Sequence, residues 1–267
     1  MPKKLALTTF LIINILIGTT MFVTLQTCLN SNLGATTATT TSNTFFSLQL
    51  GQNSPIYSII VFTIVAVYSN FIWIYSKNNN FFFNIIQRIG YTKFLKKGAL
   101  YSFLGGSLLS VMMSFYQLSF LTLLIHPLQL NTPVTNQSEG ISVFDNGNLW
   151  SIVQFIILAA LGWGVYAVFV FAVTLWIKKN VLAMVSGGLL GVLLFVLPAL
   201  LAQLLQGIGT TFFYPVQIST LLSPGMITYP SIPIEQAASY FPYSLLFYAL
   251  LAIFLMILWV KQKEKKN

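Results

Sequence analysis

The sequence predicts an all-α polytopic membrane protein, and three observations lead to that prediction. The 267 residues are 56% hydrophobic and only 6% charged, whereas soluble domains carry about 25% charged residues. Apolar runs long enough to cross a bilayer core of about 30 Å recur along the chain. The basic residues fall before the first run, after the last run and between alternate pairs of runs. A chain this apolar has too little polar surface to cover a water-soluble globule, so the bilayer must be its solvent.

Six apolar segments define the membrane helices of a single predicted transmembrane domain, residues 1–267. Their approximate bounds are 6–27, 56–76, 99–125, 150–177, 181–206 and 241–260. Each segment reaches the roughly 20 residues that a helix needs to span the bilayer core. The first segment follows two lysines, as a cleavable signal peptide would, but its apolar run is longer than the usual signal core. A retained first span is therefore predicted.

Cys28 is the single cysteine, which excludes an intramolecular disulfide and a cysteine-based metal cluster. Its position after an apolar stretch leaves lipidation at Cys28 as an alternative. Gln26 and Thr27 stand where small residues are expected before a lipidated cysteine. We therefore interpret Cys28 as a small residue at the outer end of the first span.

The distribution of charge predicts that both termini lie in the cytoplasm. With that orientation, all thirteen basic residues fall in cytoplasmic segments, as the positive-inside rule requires. Those segments are 1–5, 77–98, 178–180 and 261–267. Topology and anionic lipid thus explain the net charge of +9, and nucleic-acid binding is not indicated. A cell membrane, of the prokaryotic cytoplasmic kind, is the expected location.

Three segments are predicted to be extracellular, and they differ in character. Residues 28–54 hold a Thr/Ser/Asn-rich run of low complexity. Residues 127–149 are rich in the turn formers Pro, Asn and Gly. Residues 207–240 are too apolar for a solvated loop and too often interrupted by proline to span. A broken or re-entrant segment of short helices, covered by protein or by a watery cavity, is predicted there.

The predicted spans contain no charged residue in their cores, which argues against a proton-coupled transporter, a pump or a voltage sensor. The chain also lacks the catalytic, metal-ligating and phosphate-binding motifs of an enzyme, so no catalytic residue, metal or cofactor is predicted. The polar residues of interest inside the spans are Asn70, Gln117, Gln154 and Gln203. They either form interhelical hydrogen bonds or line a route for an amphipathic substrate.

Small residues recur where helices can approach closely. Gly98, Gly105 and Gly106 open the third span, and Ser186, Gly187 and Gly191 form a small-xxx-small pattern in the fifth. Packing within the chain is favoured over dimerisation.

Residues 81–97, FFFNIIQRIGYTKFLKK, combine an apolar stripe with basic residues between the second and third spans. Phe82, Ile85, Ile86 and Ile89 recur at i, i+3, i+4 and i+7, which is the spacing of one helix face. Gly90 can end that helix in the left-handed conformation. The predicted partner-binding residues are Phe82, Ile85, Ile86, Arg88, Ile89, Gly90, Tyr91 and Lys93.

Two interpretations of 81–97 remain open. The segment can lie on anionic lipid, with its Phe and Ile side chains buried and its basic residues at the headgroups. Alternatively, it is a coupling helix that inserts its apolar stripe into a groove on a cytoplasmic ATPase, with the glycine fixing the angle of approach.

Residues 56–110 resemble the central stretch of ABC-type exporter permeases of the FtsX/MacB-like kind. In that family a span leads into a cytoplasmic segment with an isoleucine-leucine stripe and a glycine corner, and a Gly-rich span follows. Here the corner is residues 88–92, RIGYT, and the Gly-rich stretch is residues 98–106. The plan of six spans with a broken apolar segment before the last is also similar to the exporter permeases that include bacteriocin-immunity permeases.

The resemblance implies a permease subunit of an ABC-type exporter that moves or extracts an amphipathic or lipid-like substrate. It also implies a separate cytoplasmic ATPase subunit and a second permease subunit, of the same or a different chain. The alternatives are a non-transporting immunity, sensor or scaffold protein and, less favoured for want of catalytic groups, a small enzyme acting on membrane lipids.

Overall fold

The structure is a computed structural model of the chain. The residues it describes are 11–12, 14–16, 18–19, 21–23, 26, 45–46, 48–49, 55–79, 81–124, 142–144, 149–205, 208–226 and 237–265. Cys28 and the Thr/Ser/Asn-rich run lie outside these residues. So does most of the predicted extracellular segment 127–149.

The described part of the chain is helical and contains no β-strand; a single antiparallel bridge joins Ser142 and Met226. The helices are α1 (Pro55–Asn78), α2 (Phe81–Leu124), α3 (Leu149–Thr174), α4 (Asn180–Leu205), α5 (Ile208–Phe213), α6 (Ile218–Leu222) and α7 (Tyr240–Glu264). The all-α class is therefore confirmed.

Four or five of the described helices are long and apolar enough to cross a membrane. Four satisfy the criterion alone: Phe82–Leu123, Leu149–Thr174, Asn180–Ala202 and Tyr240–Glu264. The fifth is α1, which is bent by 43° between Val65 and Val67. Within the first predicted span, only a shorter apolar helix, Asn14–Val23, is described. The sequence predicts six membrane spans, and the described residues contain four or five of them.

Helix α3 is the centre of the bundle. In its most apolar stretch 67% of the residues are buried, against 22–33% in the other three helices that are each long and apolar enough to span alone. It packs against α1, α2, α6 and α7, while α1 also pairs with α4. The remaining helices expose leucine, isoleucine and phenylalanine side chains outward, such as Leu189 and Leu250. An apolar surface of this extent is expected to face acyl chains.

The glycines predicted to allow close approach do so within the chain. Gly106 of α2 lies against α3, where a Cβ atom would be 2.6 Å from the carbonyl oxygen of Trp163. Gly188 and Gly191 of α4 lie against Thr63 and Phe62 of α1. Van der Waals packing of this kind stabilises helix pairs where lipid removes the hydrophobic driving force.

The broken segment before the last long helix is present as α5 and α6. All five residues of α6 are buried, because α6 packs between α3 and α7. Tyr214 donates a hydrogen bond from its hydroxyl to the carbonyl of Met226 at 2.7 Å, and Thr220 donates to the carbonyl of Tyr214 at 2.7 Å. Irregular backbone therefore finds its partners inside the protein, as the apolar sequence of 207–240 requires.

One end of the bundle collects the basic residues of the described helices and of the short segments between them. There, α1, α3 and α7 end and α2 and α4 begin, because Asn78 bonds to Asn180 at 2.6 Å and the rings of Phe82 and Trp259 lie 6.1 Å apart. Lysines 77, 178 and 263 surround a common cavity at this end. We refer to it as the basic end.

Candidate functional site

A cavity lies inside the helix bundle, between α1, α2, α3, α4 and α6. Its apolar walls are formed by side chains such as Phe62, Trp163 and Phe195. Its polar lining consists only of neutral hydroxyl and amide groups: Gln49, Ser58, Ser110, Ser114, Gln117, Ser219 and Ser223. We call it the interior cavity. A neutral, hydrogen-bonding lining suits a polar group without charge.

The interior cavity has a volume of about 50 Å³. A water molecule needs about 10–15 Å³ of such volume, so the cavity has room for about three to five waters. A lipid or a peptide does not fit unless the helices move apart. The hydroxyl of Ser219 is buried and has no hydrogen-bond partner among the described residues. A water molecule in the interior cavity would supply that partner.

Gln117 is the predicted route-lining residue that reaches this cavity. Gln49 donates a hydrogen bond from Nε2 to Gln117 Oε1, which fixes the two amides together. Ser110 and Ser114 precede Gln117 by seven and three residues, which places all three on one face of α2. Sequence reasoning singled out only the glutamine. The spacing of Ser110 and Ser114 relative to Gln117 was a signal for the polar face of α2, but not for the lining that the other segments contribute.

Of the other three predicted lining residues, Asn70 and Gln154 do not line the interior cavity. Asn70 is fully buried and donates a hydrogen bond to the carbonyl of Ala167 at 3.1 Å, so it joins α1 to α3. Gln154 is exposed on the surface of α3. The side chain of Gln203 lies outside the described part of the structure.

The apolar stripe of residues 81–97 faces the chain's own bundle. Phe82 is only 8% exposed, and Ile85, Ile86 and Ile89 are half-buried against the same group of residues. The ring of Phe82 lies 6.1 Å from that of Trp259 in α7 and 5.5 Å from that of Phe94. Phe94 in turn lies 5.2 Å from Trp73 of α1. We call Trp73, Phe82, Tyr91, Phe94 and Trp259 the aromatic cluster.

This packing changes the role expected for Phe82, Ile85, Ile86 and Ile89, which were predicted to bind a partner subunit. A side chain buried against α7 cannot at the same time insert into a groove on another subunit. The exposed side of the segment is instead formed by Phe83, Asn84, Gln87 and Arg88, which are neighbours on a helix surface. We call these four residues the outer face. Lys93 is also exposed, and Tyr91 is half-buried in the aromatic cluster.

Gly90 breaks α2 into two helical parts, with φ 73° and ψ 162°. The positive φ was predicted, but the ψ value lies outside the left-handed helical region that usually ends helices. This conformation is essentially restricted to glycine. Aromatic contacts cross the break, since Phe82 precedes Gly90 while Tyr91 and Phe94 follow it. The backbone and the aromatic cluster together fix the angle between the two parts.

Replacing Gly90 with alanine is expected to lower the free energy of unfolding by about 1–2 kcal/mol through backbone strain. Crowding does not contribute, because nothing lies within 4 Å of the position that the new Cβ would take. Unfolding by sodium dodecyl sulfate in mixed micelles measures the change. Thr92→Ala, at an exposed position in the same helix, is the control. Equal stability of the two variants contradicts the strained conformation.

Lys77 ties the end of α1 to the end of α3. Its ammonium group donates hydrogen bonds to the carbonyls of Thr174 at 2.8 Å, Leu175 at 2.9 Å and Ile177 at 2.6 Å. These carbonyls lie at the end of α3 and in the turn that follows it, where helix carbonyls lack partners within the helix and the negative end of the helix dipole lies. The carbonyl of Thr174 also accepts a hydrogen bond from the backbone N–H of Ile177 at 3.1 Å. A lysine from a neighbouring helix therefore satisfies both needs of α3.

Comparisons of the chain with family models, with curated proteins and with solved structures found no match. The class of the protein therefore rests on its own residues. Its long apolar helices make it a multi-pass α-helical membrane protein.

Proposed function

We propose that this chain is the permease subunit of an ABC-type exporter in a prokaryotic cytoplasmic membrane, with the basic end in the cytoplasm. The chain binds no nucleotide itself. A separate ATPase subunit docks on the outer face of residues 81–97, and its closure on ATP moves this segment and the helices attached to it. A second permease subunit, of the same or a different chain, completes the transporter.

The observation that carries the proposal is the attachment of residues 81–97. A coupling element has to be held firmly by the bundle on one side and be accessible on the other. Phe82 and the three isoleucines hold the segment to α1, α3 and α7 through the aromatic cluster and its neighbours. The outer face carries the exposed ring of Phe83 and the guanidinium of Arg88. Apolar and arginine side chains are the usual anchors of protein interfaces.

The lining of the interior cavity favours an amphipathic or lipid-like molecule as the proposed substrate. Its neutral hydroxyl and amide groups can hydrogen-bond to the polar part of such a molecule, while the apolar walls contact the rest. The cavity is too small for this substrate in the present arrangement. Transport therefore requires α1 and α2, which both line it, to separate when the coupling segment moves.

The small volume of the interior cavity, about 50 Å³, favours a second candidate function. A non-transporting immunity, sensor or scaffold protein needs no passage through its bundle. Residues 81–97 would then serve to close the basic end and to contact anionic lipid. Co-purification of partner proteins with the tagged chain distinguishes the two candidate functions.

Replacing Phe83 with aspartate is expected to remove the ATPase subunit from the purified complex. The tagged chain is isolated in mild detergent from its native cell, and co-purifying proteins are identified by mass spectrometry. A stoichiometric subunit carrying a GxxxxGK[ST] motif is expected with the wild type. Loss of an interface anchor weakens binding by about 30-fold or more, which is enough to lose the subunit during washing.

Phe212→Asp is the matched control, because Phe212 is 72% exposed and Phe83 is 68% exposed. It belongs to α5, away from the basic end, and should leave the complex intact. Ile85 and Ile89 are unsuitable test positions, since they pack inward and an aspartate there would damage the bundle. A wild-type chain that purifies without any such ATPase subunit supports the non-transporting function instead.

A further inference from the structure

A second cavity, of about 480 Å³, opens at the basic end between α1, α2, α7 and the segment that follows α3. We call it the basic cavity. Three lysines, Lys77, Lys178 and Lys263, line it together with Trp176 and Trp259, and none of the described residues contributes a carboxylate to its lining. Cavities of this size accommodate small-molecule ligands. Three like charges around one space favour an anionic occupant.

We propose that the basic cavity binds the phosphate group of an anionic phospholipid. The proposal does not depend on a partner ATPase or on transport. The lipid site consists of the three lysines and the two tryptophans, and it is separate from the contact with anionic lipid considered for residues 81–97.

The lysines have distinct roles in this site. Lys77 uses its three N–H donors on the carbonyls at the end of α3, so it supplies charge but no further hydrogen bond. Lys178 and Lys263 make no hydrogen bond or ion pair to the residues that the structure describes, and they can donate to a phosphate. The ammonium of Lys263 lies 5.7 Å from the ring centre of Trp259, a cation–π arrangement that holds it beside the cavity.

The two tryptophans show at which depth the cavity lies. Trp259 is 2% exposed and forms part of the floor, whereas Trp176 is 41% exposed and lies at the rim. Exposed tryptophan is enriched at the level of lipid headgroups. The long apolar helices α1, α3 and α7 all end around the cavity. A phospholipid whose phosphate is bound there would have its acyl chains beside the apolar surface of the bundle.

The choice of a lipid over a soluble phosphate follows from this placement. Basic pockets between membrane helices on the cytoplasmic side are known binding places for acidic headgroups. Both sources offer the same phosphate chemistry, and the acyl chains distinguish them.

Native mass spectrometry of the purified chain in a neutral detergent tests the site. Dioctanoyl phosphatidylglycerol and dioctanoyl phosphatidylcholine are titrated separately, and inorganic phosphate is added as a competitor. We expect the wild type to bind phosphatidylglycerol more tightly than phosphatidylcholine. The double variant Lys178→Gln, Lys263→Gln should weaken the binding of phosphatidylglycerol by about 25-fold, or about fivefold for each lysine.

The control is Lys93→Gln, Lys97→Gln, which removes the same charge from exposed lysines of α2 that do not line the basic cavity. It should bind phosphatidylglycerol like the wild type, and thermal unfolding in detergent verifies that both double variants fold. Equal binding of the two lipids by the wild type overturns the proposal. So does an equal loss in both double variants, which indicates surface charge alone. If phosphatidylglycerol binds no more tightly than inorganic phosphate, the cavity is a site for a soluble phosphate, and the proposal of a lipid site is overturned.

Discussion

The variant Gly162→Ala is expected to lose about 3–4 kcal/mol of unfolding free energy. Gly162 lies in α3 directly beneath α6, and an added Cβ atom would overlap the carbonyl oxygen of Leu221. The obstacle is backbone, so no rotation of a side chain relieves it. Overpacking a core usually costs about 1–3 kcal/mol, and more when the backbone has to shift. The shift would push α6 away from the central helix.

Gly105→Ala is the matched comparison for this variant. A Cβ atom at Gly105 would lie 3.1 Å from the Cα and Cβ atoms of Ser69, a tight contact that a small movement of α1 can relieve. Alanine also favours the helix over glycine by about 0.5–1 kcal/mol. Gly105→Ala should therefore change the unfolding free energy in mixed micelles much less than Gly162→Ala. Similar values for the two variants would show that α6 does not pack on α3 as described.

Replacing Lys77 with methionine is expected to lower the free energy of unfolding by about 3 kcal/mol. Three hydrogen bonds from a charged donor are lost, and each such bond contributes about 1.5–3 kcal/mol when it is shielded from water. Lys77 is half-buried, so water partly replaces them and the loss is smaller than the sum. The attraction between the ammonium and the α3 dipole is lost as well. Methionine keeps the apolar stem, so the packing of the side chain changes little.

Two further variants and one further measurement make this prediction specific. Lys178→Met removes an exposed lysine that has no hydrogen bond within the described structure, and it should be nearly neutral. Lys77→Arg keeps the charge and several donors, so it should recover part of the lost stability. Hydrogen exchange of the backbone around residues 171–177 should accelerate in Lys77→Met alone. A Lys77→Met chain as stable as Lys178→Met would contradict the role of Lys77 at the end of α3.

The long helices could be predicted because bilayer thickness imposes a length that apolar runs show directly. The segments 150–177 and 181–206 correspond to α3 and α4 within a few residues. The third predicted span, 99–125, begins later than α2, because residues 81–97 continue into the same element through Gly90. Hydropathy cannot reveal that continuity, since the residues before Gly98 are polar enough to end a predicted span.

The orientation of the apolar stripe could not be predicted from its spacing. A period of 3.6 residues shows that Phe82 and Ile85 share a face, but it does not identify what covers that face. The covering residue Trp259 is about 175 positions away in the chain, and only the packing of α7 brings it there. The lining of the interior cavity was missed for a similar reason. Serines are common in membrane helices, and Ser219 joins those of α2 only because α6 folds inward.

The similar lengths of the long helices have a consequence for the membrane in which the protein is most stable. Helices α3 and α4 have 26 residues each and contain no charged side chain, so each is about 39 Å long at 1.5 Å per residue. This exceeds a hydrocarbon core of about 30 Å by several ångströms even at a common tilt of about 20°. Lipids with long acyl chains reduce this hydrophobic mismatch, whereas short chains force a larger tilt. Since Lys77 and the aromatic cluster hold the helices together at the basic end, the additional tilt must be accommodated at the opposite end of the bundle.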